Sequence, residues 1–317
     1  MPAPSGLSAA FGGAGPPTTR AATLRALLAG AGEAVVLPGV SDALSARLVE
    51  AAGFPACYLS GAGVANMQFG VPDVGVVTLT EIVEQARRVA DAVRIPVVVD
   101  ADTGYGSYLT VMRAVHLLEA AGVAGIQLED QAIPKRCGHF DGKRLVPREE
   151  MVARLLAAQQ ARSDPDLLVI ARTDAIAVEG FPAALDRAKA YRDVGADVVF
   201  IEAPRTLEEI RAIPRELPDV PLLINVVEGG HTPELPAAEL DACGYRVVLH
   251  ANFLMRAMLH AGERALGHLR THRETASLHD RLVPWQVRQS LVQQELADRV
   301  EDDIRRRAGE AAAGARP

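Results

Sequence analysis

LTEIVEQARRVADAVRIPVVVDAD, residues 79–102, is the stretch whose reading decides the fold. Its first part sets Leu79, Ile82, Val83, Ala86, Val89, Ala90 and Val93 on one face of a 3.6-residue turn. Glu81, Glu84, Arg87, Arg88 and Asp91 take the other face. Its second part, PVVVD at 96–100, is apolar on successive residues, as a strand covered on both faces requires. A half-buried helix followed by a fully buried strand is one α-then-β step of a parallel sheet.

Working outward, the same step recurs. Further short apolar runs are AVVLP (34–38), ACYLS (56–60), GIQLE (125–129), LLVIAR (167–172), DVVFIE (197–202), PLLIN (221–225) and YRVVLH (245–250), eight with the first. Ser41-Asp42 signals the start of a helix that Gly53 ends, and Gly122 and Gly195 close helices just before strands. Eight such units predict a closed (β/α)8 TIM-type barrel. An open doubly wound sheet would carry a glycine-rich phosphate loop after its first strand, whereas this chain reads PGVSDALS at 38–45. The expected organisation is a flexible arm at 1–22, a barrel at 23–272 and a helical tail at 273–317 that makes an oligomer contact.

Composition narrows the function classes. The 317 residues are 49% hydrophobic and 23% charged, with a net charge of −7 and no basic block, which argues against a nucleic-acid surface. No apolar run approaches the ~20 residues of a membrane span. Cys57, Cys137 and Cys243 are odd in number and widely spaced, which fits a reducing cytoplasmic setting rather than a disulfide framework.

Polar residues gather at the carboxyl ends of the strands, where a parallel barrel keeps its active site. They are Tyr58 and Ser60, Asp100 and Asp102, Glu129 and Asp130, Arg172 and Asp174, Glu202, Asn225 and His250. Asp100, Asp102, Glu129 and Asp130 would repel one another in a desolvated rim, and an oxygen-preferring cation such as Mg²⁺ or Mn²⁺ relieves that; pairing with Arg172, Lys135 or Arg136 is the other reading. The loop after the fourth run holds KRCGH, 135–139, in which two cations flank Cys137 and favour its thiolate.

Together these motifs resemble the isocitrate lyase and phosphoenolpyruvate mutase superfamily, in its short lyase branch. The carriers are YLSGAGVAN (58–66), VDADTGYG (99–106), QLEDQ (127–131) with PKRCGHFDGKRLV (134–146), IARTDA (170–175), FIEAP (200–204) and NVVEGGHTP (225–233). The resemblance implies a Mg²⁺-dependent carbon–carbon lyase that splits a 2-hydroxy carboxylic acid into an α-keto acid and a simple carboxylate. It places the metal on Asp100 and Asp102, with Asp73 and Glu129 nearby. Ser60, Gly61 and Ala62 would bind a carboxylate, Arg172 would neutralise charge, and Glu202, Asn225 and Arg256 would hold the rest of a di- or tricarboxylate. Tyr58 is the candidate base and Cys137 the proton donor, with Gly138 and His139 beside it against the substrate. The resemblance also implies a dimer or tetramer whose eighth helix is exchanged between subunits. Oxaloacetate decarboxylation, or phosphorus–carbon bond chemistry of the mutase type, is the alternative. Val227 stands where the methylisocitrate lyases carry Thr, and Trp285 where they carry an arginine; both lean toward a malate bearing alkyl groups.

Overall fold

The computed structural model describes residues 17–30, 32–136, 138 and 142–314. Eight parallel strands close in sequence order into a barrel. They are β1 (Val35–Val40), β2 (Cys57–Leu59), β3 (Val97–Asp100), β4 (Gly125–Glu129), β5 (Leu168–Thr173), β6 (Val198–Ile201), β7 (Leu222–Asn225) and β8 (Val247–His250). β8 seals against β1 with Val35 opposite Val247 and Pro38 opposite His250. Each apolar run of the sequence supplies one strand.

The helices are α1 (Pro17–Ala29), α2 (Ala43–Ala51), α3 (Gly61–Phe69), α4 (Leu79–Ala92), α5 (Tyr108–Ala120) and α6 (Arg148–Ala161). α7 (Phe181–Asp193), α8 (Leu207–Glu216), α9 (Ala237–Cys243), α10 (Phe253–His272), α11 (Trp285–Leu291) and α12 (Gln294–Gly314) follow. Asp42 caps α2 through the Ser45 amide, and Thr78 with Glu81 forms a reciprocal cap on α4. None of the described helices is long and apolar enough to cross a membrane.

Strand parity divides the core in two. Val98, Leu168, Ile170, Val198, Phe200, Leu223, Val247 and Leu249 face inward and fill the barrel. Their neighbours Val97, Val99, Val169, Val199, Ile201, Ile224 and Val248 face the helices. Gly39 belongs to the inward set, and a Cβ there would lie 1.8 Å from the Ala251 carbonyl oxygen. Only glycine lets the chain leaving β8 cross so close to β1.

Residues 17–22, expected to belong to a flexible arm, are helical instead. α1 begins at Pro17, and its Ala21, Leu24 and Leu28 pack into the inward core beneath Val35 and Leu37. Arg20 is buried and donates to the Gly122 carbonyl at 3.3 Å. An apolar stripe that closes the floor of the barrel gains more from burial than from freedom. The other end of the chain differs: α10 has no buried residue, and Leu259, Leu266 and Leu269 on it are exposed.

Candidate active site

The inward parity that fills the barrel with aliphatic side chains changes to polar residues at the last layer. Tyr58 and Ser60, Asp100, Glu129, Arg172, Phe200 and Glu202, Asn225, and Leu249 and Ala251 are the inward positions at or just past the ends of β2 to β8. All of them line one small cavity of about 30 Å³, with Asp73, Lys135, Arg136, Gly138, Ala62 and Asn252 completing its wall. Ser60 starts α3, its hydroxyl accepting from the Gly63 amide at 3.1 Å, and Ser60 and Ala62 put the N-terminus of that helix in the cavity wall, a setting that favours a carboxylate. Gly138 closes the opposite side: a Cβ on it would lie 2.3 Å from Nη2 of Arg172 and 2.7 Å from Oε2 of Glu202.

Arg172 is the electrostatic centre. Its guanidinium meets Asp174 (Nε to Oδ2 3.0 Å), Glu202 (3.2 Å) and Glu129 (3.4 Å), and lies over the Phe200 ring at 5.4 Å. Asp174 also takes Lys143 Nζ at 2.9 Å, and that ammonium donates to the Gly138 carbonyl. Burial alone would raise the Asp174 carboxyl, but Arg172 and Lys143 outweigh it and hold it below the usual range. Glu129 goes the other way: burial holds it well above that range despite Arg172. Lys135 joins Asp73 and Asp102, the latter at 2.6 Å. Asp102 sits in the left-handed region, φ 48°, and its amide donates to Oδ1 of Asp100 at 3.1 Å. Burial pushes Tyr58 well above its ordinary value, with Asp100 adding to it, so the phenol keeps its proton at neutral pH.

This arrangement belongs to a recorded lineage. The family model described as phosphoenolpyruvate phosphomutase matches residues 24–270. The chain belongs to that family. The chain is 46% identical over 230 residues to 2,3-dimethylmalate lyase of Eubacterium barkeri, covering 73% of this chain and 79% of that protein. It is 45% identical over 232 residues to 2-methylisocitrate lyase of Aeropyrum pernix, covering 73% and 74%. Among solved structures, oxaloacetate acetylhydrolase with 3,3-difluorooxalacetate superposes with a TM-score of 0.86 at 35% identity, over 91% of this chain and 98% of that one. Phosphonopyruvate hydrolase in complex with oxalate and Mg²⁺ gives 0.80 at 31%, over 89% and 98%.

In this phosphomutase-family chain, Tyr58, Ser60, Ala62, Asp73, Asp100, Glu129, Gly138, Arg172, Glu202 and Asn225 all line the cavity. Gly61 lies behind it, where a Cβ would be 3.1 Å from Oδ2 of Asp100 and 3.4 Å from Oδ1 of Asp102. Cys137 and His139 lie outside the described residues. Arg256 is not at the cavity: it is half exposed on α10 and donates to the Glu228 carbonyl at 2.8 Å. It sits on the helix that runs away from the barrel, and Glu228 takes its charge. Trp285 is also remote, 63% exposed on α11 and stacked under Arg288 at 3.6 Å. Asp130 leaves the carboxylate cluster because its parity is outward. It accepts from Thr173 (2.7 Å), Tyr191 (2.8 Å) and the Asp174 amide (3.0 Å), which fixes the end of β5.

Lys143 and Asn252 were not singled out from the sequence. Asn252 stands two residues past the end of β8, as Asp102 and Asp174 stand just past β3 and β5, and that spacing was its available signal. Lys143 sits in a loop with no periodicity, so nothing local marked it.

The donor set suits a hard divalent cation. Asp100, Asp102, Asp73 and Glu129 offer only oxygen, and Oε1 of Glu129 is buried without a hydrogen-bond partner. Oδ1 of Asn225 is likewise buried and unpartnered, an acceptor facing the cavity. As they stand, no three His, Cys, Asp or Glu side chains among the described residues form a metal-holding group.

Proposed function

We propose that this chain cleaves the C2–C3 bond of a 2-hydroxy dicarboxylate, a malate bearing alkyl groups, to give an α-keto acid and a simple carboxylate. The observation that carries the reading is the buried guanidinium of Arg172 set among Glu129, Asp174 and Glu202 in a cavity that Tyr58, Ser60 and Asn225 also face. The likeness to 2,3-dimethylmalate lyase and 2-methylisocitrate lyase supports the carbon–carbon lyase class.

Asp100 and Asp102, with Asp73 and Glu129, would hold Mg²⁺, or Mn²⁺ in its place. When bound, such an ion supplies positive charge for the oxygens of the keto acid unit. The chain's own groups do the rest. Ser60, Gly61 and Ala62, at the start of α3, bind the carboxylate of that unit. Arg172 offsets its charge at the other side. Tyr58 faces the C2 oxygen and serves as the base for its hydroxyl proton, in the ionised form that a cation held by the neighbouring carboxylates would favour. As Tyr58 takes the hydroxyl proton, the C2–C3 electron pair moves onto C3, the thiol of Cys137 protonates that carbon, and the proton held by Tyr58 returns to the thiolate after the products leave. Asn225 and Glu202 orient the departing carboxylate, with Gly138 and His139 on the side of the thiol.

Proton NMR of the full chain with Mg²⁺ tests this on 2,3-dimethylmalate, citramalate, 2-methylisocitrate, oxaloacetate and phosphonopyruvate. A keto acid formed from a substituted malate, and lost in Cys137→Ser, is the expected result. Turnover of oxaloacetate or phosphonopyruvate alone, unchanged in Cys137→Ser, would remove both the substrate class and the role of the thiol.

A further inference from the structure

Gln131 lies two residues past the end of β4 and is wholly buried. It stands in the neck of the loop that joins β4 to α6. Gln131 pairs with Leu145 in an antiparallel bridge. The Ala132 amide donates to the Arg144 carbonyl at 2.8 Å, and the Val146 amide to the Asp130 carbonyl at 2.9 Å. Nη1 of the buried Arg154 donates to the Gln131 carbonyl at 3.3 Å. The backbone of Gln131 is therefore held without help from its side chain.

That side chain reaches five residues on. Its Oε1 accepts from the Arg136 amide and its Nε2 donates to the Arg136 carbonyl, each at 2.8 Å. Gln and Asn are the side chains that carry an acceptor and two donors on one planar amide, so they can satisfy both main-chain groups of a residue at once. The pair of bonds stands in for the strand partner that a loop residue lacks. Arg136 lines the cavity and immediately precedes Cys137 in the chain. Gly138, the residue after Cys137, also lines the cavity, and its carbonyl takes Lys143 Nζ.

We propose that Gln131 is a positioning residue for the thiol: by holding both main-chain groups of Arg136, it sets the point from which the chain enters Cys137. This rests on the lyase reading above and deepens it, naming a residue that acts through the proton donor. Consecutive Cα atoms are only about 3.8 Å apart, so a shift at 136 is passed to 137. Misplacing a reacting group by about 1 Å can cost on the order of 10²-fold in rate. Ser60, Arg172 and Asn225, which bind the substrate, stand at the ends of β2, β5 and β7 instead. Gln131 therefore bears on proton delivery and not on substrate affinity.

Gln131→Met keeps the length of the side chain and removes both hydrogen bonds. Residue-resolved hydrogen exchange of the full chain should show the Arg136 amide exchanging about tenfold faster or more, with the Ala132 and Val146 amides unchanged. On 2,3-dimethylmalate with Mg²⁺, kcat should fall on the order of 10²-fold while KM stays within about threefold. Unchanged exchange at Arg136 overturns the proposal. So does an acceleration shared by Ala132 and Val146, because Gln131 then merely supports the neck. An unchanged kcat beside fast exchange at Arg136 overturns it too, as does a loss that falls on KM. Should Gln131→Met not fold, Gln131→Asn retains the amide but is one methylene shorter, and the same outcomes apply; failure of both to fold counts against the proposal, since the residue is then structural. A natural chain that cleaves no substituted malate defeats the lyase reading and this proposal with it. Cleavage that is indifferent to Gln131 defeats the proposal alone.

Discussion

Arg172 holds three carboxylates within 3.4 Å while itself almost wholly buried. Arg172→Met would leave Glu129, Asp174 and Glu202 without their shared counter-charge. The expected cost is about 3–5 kcal/mol of stability, read from urea denaturation. Arg172→Lys keeps the charge but not the fork, and turnover is expected to fall about 10²-fold, because one point charge cannot orient two carboxylates. Cys57 offers a pH test away from the site. It is fully buried on the outward face of β2, and burial pushes its thiol up to about 12. The unfolded thiol titrates near 9, so above that pH the unfolded chain releases a proton that the folded chain keeps. Stability should therefore fall as pH rises from about 9 toward 12, by roughly 1.4 kcal/mol per unit from this group. Urea midpoints of Cys57→Ala should lack that part of the decline. A native thiol titration at pH 8 should also leave Cys57 unmodified.

At the scale of elements, α1 is the piece that composition concealed. A stretch rich in Ala, Pro and Gly precedes it, yet Leu24, 2% exposed, packs into the same inward cluster as Leu37 and Leu223. Leu24→Ala should cost about 2–5 kcal/mol by leaving a cavity in the barrel floor. Activity at low temperature should be retained, because α1 is at the end of the barrel opposite the site. A urea midpoint indistinguishable from that of the natural chain would mean that α1 does not close the floor. The cap at Asp42 was legible in the sequence, since it satisfies the amide three residues on and that chemistry is local; Thr78 does the same for α4. The exposed position of Arg256 was not legible, because it depends on the direction α10 takes after the barrel closes.

For the whole molecule, α10 and the groove beside it are the unbalanced features. Val36, Leu48, Phe54, Phe253 and Leu254 line an apolar groove of about 310 Å³ on the flank of the barrel, and α10 leaves that flank with Met258, Leu259, Leu266 and Leu269 exposed. Exposed apolar surface of this kind marks an association site. Exchange of α10 between two copies is the expected arrangement, with the tail beyond residue 272 adding contact. Sedimentation equilibrium should find a dimer or tetramer, and a chain ending at His272 should associate more weakly. A natural chain that stays monomeric at micromolar concentration would exclude exchange.

The alternation of helix and strand, the closed parallel barrel and the ring of polar strand ends were all determined by the sequence, because each rests on local periodicity and on the covalent geometry that sets side-chain parity. That same parity would have turned Asp130 outward on paper, one residue from the inward Glu129. What only the tertiary structure decided is which charge meets which. Lys135 settles among Asp73 and Asp102, Lys143 joins Gly138 to Asp174, and Arg256 and Trp285 stay away from the cavity. These partners come from loops and from a terminal extension, where no repeating pattern constrains the backbone. Their positions follow from long-range packing and from the need of each buried charge for a counter-charge, and both exist only once the barrel has closed.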